Sequence, residues 1–368
     1  RTISIVTLTA CRLAVVPAAA ALALFERRPY LLWLGVQELC IGLNRFAQFA
    51  ADIGVLDLPR QVAKLLLEPT DAPPRRRESQ DDVASRLGAS RQSVNKALTM
   101  LHVRGWIERR DDGTLAVRQP DAMRRYVDGP ERIRRPRGSA ARWNVTDVEW
   151  QRRGPVLRAL DDADADRLRA ESRTVTYQLG EMILAEGNKR DHVGVLLDGQ
   201  GLLTTDSGTY GTYVHRSVEP NGSLIGLPAL FRDQVSTVSL RAQETTRVLE
   251  IPRDRLASIL RRSPRALRLA GAEVAEEVTG YLRTAAELAT LSATGRVAAV
   301  LLHHCDAEGA VHLLLTQRQL AARVGLSRQS VNRALTELRD DKIIEADRGA
   351  YHVRDHAALY RLVYDAEE

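Results

Sequence analysis

The chain has 368 residues, more than one hydrophobic core usually organises, so two or three domains are expected. Its 53 Lys and Arg against 47 Asp and Glu leave a formal net charge of +6, which favours a polyanionic partner. The cysteines Cys11, Cys40 and Cys305 are too scattered for a disulfide framework and lack C-x-x-C spacing, which points to a reducing cytoplasm.

The chain opens at Arg1 rather than Met and reads as a fragment or a processed product. Residues 13–25 are apolar but contain Pro17 and run into Glu26, Arg27 and Arg28, too short a stretch to span a bilayer. Neither a transmembrane segment nor a secretory signal is expected, and no membrane partner. Next, Leu32, Val36, Leu39, Leu43, Phe46, Ala50 and Ile53 alternate spacings of four and three, an a/d seam on one long helix. Ser79, Val83, Ala84, Leu87, Gly88 and Ser90 then follow the pattern of a helix-turn-helix. Alternation from Trp106-Ile107-Glu108 to Leu115-Ala116-Val117 predicts a β-hairpin wing. Residues 128–153 are rich in Arg, Pro and Gly without periodicity and read as a linker, whose second half, with Trp143 and Trp150, is expected to pack onto something.

From residue 173 to residue 252, short β-type runs such as Thr174-Val175-Thr176-Tyr177 are punctuated by Gly180, Gly187, Gly199, Gly208, Gly211 and Gly222. That is the pattern of a small antiparallel barrel or jelly roll. A helix starting near Pro264 carries the same seam at Leu267, Gly271, Val274, Val278, Tyr281, Ala285 and Leu288. Pairing with another helix is preferred over burial against the chain's own barrel, because the stripe occurs twice. His303-His304-Cys305 ends the helix expected from Arg296 to His304; adjacent residues there point in different directions, so helix-end packing is preferred over metal binding, and no metal ligand is assigned. Thr316-Gln317-Arg318-Gln319 has the form of a capping box and Gly325 that of a stop signal. After a short turn a second helix capped by Ser327 runs through Leu338, and Ile343-Ile344-Glu345 with Tyr351-His352-Val353 supplies a second wing.

The chain therefore repeats itself. Gly88-Ala89-Ser90-Arg91-Gln92-Ser93-Val94-Asn95-Lys96-Ala97-Leu98-Thr99 matches Gly325-Leu326-Ser327-Arg328-Gln329-Ser330-Val331-Asn332-Arg333-Ala334-Leu335-Thr336, and Thr2, Ser4, Arg12 and Pro17 fall on Thr237, Ser239, Arg247 and Pro252. The first copy begins inside its module. On the second recognition helix Val331, Leu335 and Leu338 face inward, leaving Arg328, Gln329, Ser330, Asn332 and Arg333 outward; Arg91, Gln92, Ser93, Asn95 and Lys96 are their counterparts. Arg matches guanine O6 and N7, and Gln or Asn matches adenine N6 and N7, so these faces suit the edges of bases in the major groove. Thr316 and Gln317 would lie near phosphates. No catalytic carboxylate pair, Ser-His-Asp arrangement or Gly-rich phosphate loop is legible, so neither an enzyme nor a catalytic residue is expected. Nor are there clustered cysteines for an iron–sulfur centre.

A glycine-punctuated barrel, a long pairing helix and a winged helix-turn-helix, in that order, resemble the CRP/FNR (catabolite activator/fumarate-nitrate reductase) family of bacterial transcription regulators. The resemblance is carried by Leu179-Gly180-Glu181, Glu186-Gly187, Thr294-Gly295-Arg296 and Ser327 to Arg333. It implies an α+β fold of tandem modules: residues 1–27, the end of a first β-barrel; 28–57, a dimerisation-type helix; 58–127, a winged helix-turn-helix; 128–153, the linker; and 154–262, 263–291 and 292–368, the corresponding parts of the second module. It also implies double-stranded DNA and RNA polymerase as partners, a two-fold operator, a small effector in the barrel, and either a homodimer or a pseudo-dimer within one chain, the latter preferred. Hinges would lie near Asp57 and Ser292. The family's effector is a cyclic nucleotide, which puts the candidate pocket at Gly226, Leu227, Ser236 and Thr237, with Arg1 and Thr2 in the first copy. Leu227 stands where the family's ribose-binding Glu would be and Ser236 where its phosphate-binding Arg would be, while Tyr281, Leu282, Phe46 and Ala47 occupy the adenine-reading positions. These departures count against cyclic AMP in the second copy. The alternative function is a ligand sensor acting through protein partners, with only non-specific DNA binding.

Overall fold

The computed structural model describes residues 12, 14–68, 80–87, 89–109, 115–128, 142–146, 149–150, 154–206, 211–232, 235–313, 315–347 and 350–364. Arg1, Thr2, Ser79 and Gly88 lie outside them. Two compact units form, and neither coincides with one sequence repeat: residues up to 48, 135–205 and 215–283 contribute to the first, and residues 49–134, 206–214 and 284–368 to the second. Both long helices, Pro29–Val55 and Pro264–Thr290, contribute residues to both units.

The second unit holds two winged helix-turn-helices. The earlier one is built from helices Leu58–Leu67, Gln80–Leu87, Arg91–Val103 and Pro120–Asp128 and a wing of β1 (Ile107–Arg109) and β2 (Leu115–Val117), paired with Ile107 opposite Val117. The later one uses helices Ala293–His303, Gln317–Val324, Arg328–Asp340 and His356–Tyr364. Each closes over its own apolar core, around Val62, Val94 and Leu101 in the earlier and Leu301, Val331 and Leu338 in the later. Asp57 and Ser292, the expected hinge positions, are the N-caps that open the two domains, accepting from the amides of Arg60 and Gly295.

In the first unit a jelly roll follows a short strand, β3 (Arg142–Asn144). Its strands are β4 (Arg173–Tyr177), β5 (Met182–Leu184), β6 (His192–Asp198), β7 (Gly201–Asp206), β8 (Thr212–Val218), β9 (Leu224–Ile225), β10 (Ser239–Ala242) and β11 (Thr246–Pro252). They form two sheets, ordered β5-β10-β7-β8 and β3-β4-β11-β6-β9, which are not closed into a barrel. Val175, Leu196 and Val248 of one sheet meet Ile183, Leu203 and Leu240 of the other in a shared core. Gly199 turns β6 into β7 at φ 84°, where a Cβ would meet the Thr245 carbonyl oxygen at 2.6 Å.

The second half of the segment expected to be a linker packs onto the jelly roll. Arg142 pairs with Val175 and Asn144 with Arg173, so β3 is an edge strand of the larger sheet. Trp150 is buried in the main core, and buried Glu149 accepts from the Thr146 amide and the Thr174 hydroxyl and pairs with Arg247. A charged-looking segment thus anchors through one carboxylate whose partners come from three separate stretches of chain.

The two long helices pair within the chain. In the first unit Trp33, Val36, Cys40 and Leu43 share a buried core with Leu267, Ala270 and Val274 and with jelly-roll residues such as Leu197, Leu249 and Ile251. The preferred and the alternative reading of the seam thus both hold. In the second unit Ala50 and Ala51 share a core with Ala285 and Leu288. On the first helix the seam is rotated from its expected register: Leu39 is exposed and Cys40 is buried in its place, and Trp33 is buried while Leu32 is only half-buried against the same core. A Cβ on Gly271 would stand 2.9 Å from a Val36 methyl, so the two helices approach closely there. Gly271→Leu should therefore lower the unfolding free energy by about 1–3 kcal/mol, as overpacking does, measured by urea denaturation.

Candidate nucleic-acid interface and effector pocket

Each reading head is set by capping chemistry. Thr316 and Gln319 satisfy each other's backbone amides in a capping box, and the helix they open stops at Gly325, whose φ of 63° is left-handed. Ser327 then caps the recognition helix by accepting from the Ser330 amide, and its hydroxyl lies 2.9 Å from that of Ser330. Ser90 and Ser93 repeat the arrangement in the earlier domain. Val331, Ala334, Leu335 and Leu338 are buried, as are Val94, Ala97, Leu98 and Leu101. Arg328, Gln329, Asn332 and Arg333 are exposed along one face and Ser330 is half-buried beside its cap; Arg91, Gln92, Ser93, Asn95 and Lys96 are exposed on the equivalent face. Thr316 and Gln317 are exposed at the start of the preceding helix. Nine N–H-bearing or hydroxyl side chains at the starts of two helices thus face outward without acidic residues among them, chemistry suited to phosphates and base edges.

Arg296 donates to the carbonyl oxygens of Leu291 and Val324, and Thr294 to the Glu337 carboxylate at 2.6 Å, tying the entry helix to both members of the helix-turn-helix. Tyr213, which the sequence reading did not single out, is fully buried in the same unit. Arg323 of the later helix-turn-helix donates to its hydroxyl at 3.3 Å and to the Thr284 hydroxyl at 3.0 Å. A Cβ on Gly54 would run into the Tyr213 ring, so the glycine is required for that packing. The His303-His304-Cys305 side chains diverge: His303 lies 3.5 Å from a Glu287 oxygen, His304 Nδ1 is 2.8 Å from the Val300 carbonyl oxygen, and Cys305 faces His356. Among the described residues no group of three His, Cys, Asp or Glu could hold a metal ion, and no helix is long and apolar enough to cross a membrane.

In the first unit a pocket opens between the jelly roll and both long helices, about 980 Å³ including its mouth. Of the candidate pocket residues, Gly226, Ser236 and Thr237 line it and Leu227 does not. Instead Leu227 is 2% exposed, in the core beside Leu224 and Leu230, where its apolar side chain is almost wholly removed from water. Tyr281 and Ala47 line the pocket; Phe46 and Leu282 do not. Thr237 donates to Asn44 Oδ1 of the first long helix at 3.0 Å, and Arg216 pairs with Glu277 of the second at 2.9 Å. His215 bonds the Thr205 hydroxyl at 2.8 Å and meets Tyr281 edge-on.

Beneath the pocket, Glu250 gathers Arg173, Arg190, His192 and the Tyr177 hydroxyl. Burial alone would raise its pKa, but the bonds from His192 and Tyr177, with Arg173, outweigh it and hold the carboxyl at about 2. Glu273 behaves oppositely. Burial, with Glu277 and Glu276 nearby, raises it to about 7 although the Leu224 amide donates to it at 3.2 Å. A carboxyl that binds its proton more tightly when folded gives stability that falls as pH rises from about 4.5 through 7. Glu273→Gln should therefore shrink the difference in unfolding free energy between pH 5 and pH 8, read by denaturation at both. Ser327→Ala should cost about 0.5–2 kcal/mol through loss of its cap, read the same way.

Comparison with known proteins gives a consistent family. The model of a Crp-like helix-turn-helix domain matches residues 60–126 and again 295–362, and that of a cyclic nucleotide-binding domain matches residues 174–263. The cAMP-activated global transcriptional regulator CRP of Pasteurella multocida is 26% identical over 132 residues, which cover 34% of this chain and 63% of that protein, less than two thirds of its length. Among solved structures, FixK2 from Bradyrhizobium japonicum is 20% identical with a TM-score of 0.45, covering 53% of this chain and 99% of its own. The c-di-GMP responsive regulator CLP from Xanthomonas campestris is 21% identical with a TM-score of 0.46, covering 53% and 100%. The family is one of transcription regulators rather than enzymes. With two Crp-like helix-turn-helix domains and a cyclic nucleotide-binding domain together spanning more than half of its length, the chain belongs to the CRP/FNR family of transcription regulators, as tandem modules.

Proposed function

We propose that this regulator reads a two-fold related operator in double-stranded DNA with both recognition helices of a single chain. The observation that carries the reading is intrachain pairing of the long helices, Val36 and Leu43 with Leu267 and Val274 in one unit and Ala51 with Leu288 in the other. One polypeptide then supplies the two-fold arrangement that helix-turn-helix dimers otherwise assemble from two. Arg91, Gln92 and Asn95 on one face are matched by Arg328, Gln329 and Asn332 on the other, and only Lys96 against Arg333 differs among the leading polar positions. Such faces call for two half-sites of nearly the same sequence. Ser93 and Ser330 serve the caps first, and Thr316 and Gln317 position the second head on phosphates. The jelly-roll pocket is the effector site.

Selection of bound duplexes from a random DNA library at physiological salt tests this reading, together with the mass of the protein in solution. The expected result is a two-fold motif bound by one chain; enrichment of no motif, or binding only by chain dimers, would overturn it. Arg328→Ala should weaken binding to the selected site by about 1–3 kcal/mol and relax one base position in a repeated selection.

A further inference from the structure

The pocket lacks an arginine at position 236, but it does not lack a cation. Arg190 lines it, from the segment just ahead of β6, and two residues earlier Asn188 is joined to Ser236 by the Ser236 amide donating to the Asn188 carbonyl oxygen at 3.0 Å. The guanidinium is therefore delivered beside the place that Ser236 leaves uncharged. Its Nη2 is engaged with Glu250 at 3.3 Å and with His192, whereas Nη1 is buried with no hydrogen-bond partner. Glu250 is shared between Arg190 and Arg173, the latter at 2.7 Å, so one negative charge faces two fixed positive ones. His192, lying between Glu250 and exposed Asp191, adds no acidic charge on the pocket side. Arg216, the other pocket arginine, is committed to Glu277, and Glu219 is exposed.

Arg190 lines the cavity, and a buried N–H donor left unpaired on a cation in surplus is completed by an anionic oxygen. Leu184, Leu203, Leu224 and Leu240 give the rest of the wall an apolar character. We propose that the pocket takes a small organic anion, a carboxylate or phosphate head on a largely apolar body, with Arg190 Nη1 donating to the head group. The cation is thus relocated from the position after β9 to the loop before β6. The proposal rests on the jelly roll being the effector-binding part of the regulator, and its readout needs no DNA, so its failure and failure of operator reading are separable.

Calorimetric titration of the full chain with octanoate, octyl phosphate, cyclic AMP and neutral 1-octanol tests it. Octanoate or octyl phosphate should bind more tightly than octanol, the two telling carboxylate and phosphate heads apart, and binding of cyclic AMP alone would overturn the proposal. Arg190→Gln should weaken that anion by about tenfold or more, the worth of a charge-assisted bond. Arg173→Gln, which removes a cation from Glu250 but no donor from the pocket wall, should weaken that anion by less than Arg190→Gln does. If Arg190→Gln does not fold, Arg190→Lys, which keeps the charge and shortens the reach, carries the same comparison. Octanol binding as tightly as the anions, unchanged affinity in the Arg190 variant, equal loss in the Arg173 variant, or no anion binding at about 1 mM would overturn the proposal.

Discussion

Close approach of the two long helices is the constraint on which the rest of the molecule depends. Val36 seats against Gly271, where no larger residue fits without displacement, and small Cys40 and Ala270 continue the same buried face. Each helix alone presents an apolar stripe too extended to leave in water, and paired helices remove both stripes at once. Because each helix runs from one unit into the other, the same two elements organise the jelly-roll core around Leu267 and the small core around Ala285.

Polar groups finish what apolar burial begins. Glu149 and Glu250 are buried carboxylates that survive because several donors converge on each, from segments far apart in the chain. Isolated burial of either would be prohibitive. Around Glu250 the count of charges is uneven, and the surplus falls on the side of the pocket. In the helix-turn-helices the logic is local instead: serine and threonine hydroxyls satisfy amide groups at helix starts, and that leaves the next polar side chains turned outward.

Sequence alone determined the parts governed by local rules. The caps at Thr316, Ser327 and Ser90, the left-handed stop at Gly325, the wings, and the faces of the recognition helices follow from residue types and period, because neighbouring groups on one helix satisfy each other whatever surrounds them. The repeat, seen as identity between distant segments, likewise required no structure. Tertiary structure decided what depends on residues meeting across the chain. Leu39 and Cys40 are both apolar, and only the packing of the helix in the tertiary structure buries Cys40 and leaves Leu39 exposed. Leu227 keeps its place in the motif yet turns into the core, the linker's end becomes an edge strand, and Tyr213 fills the space left by Gly54. Arg190 carries no signature at all; its meaning comes from Glu250 and Ser236, far along the chain, and contacts of that kind are set by packing rather than by periodicity.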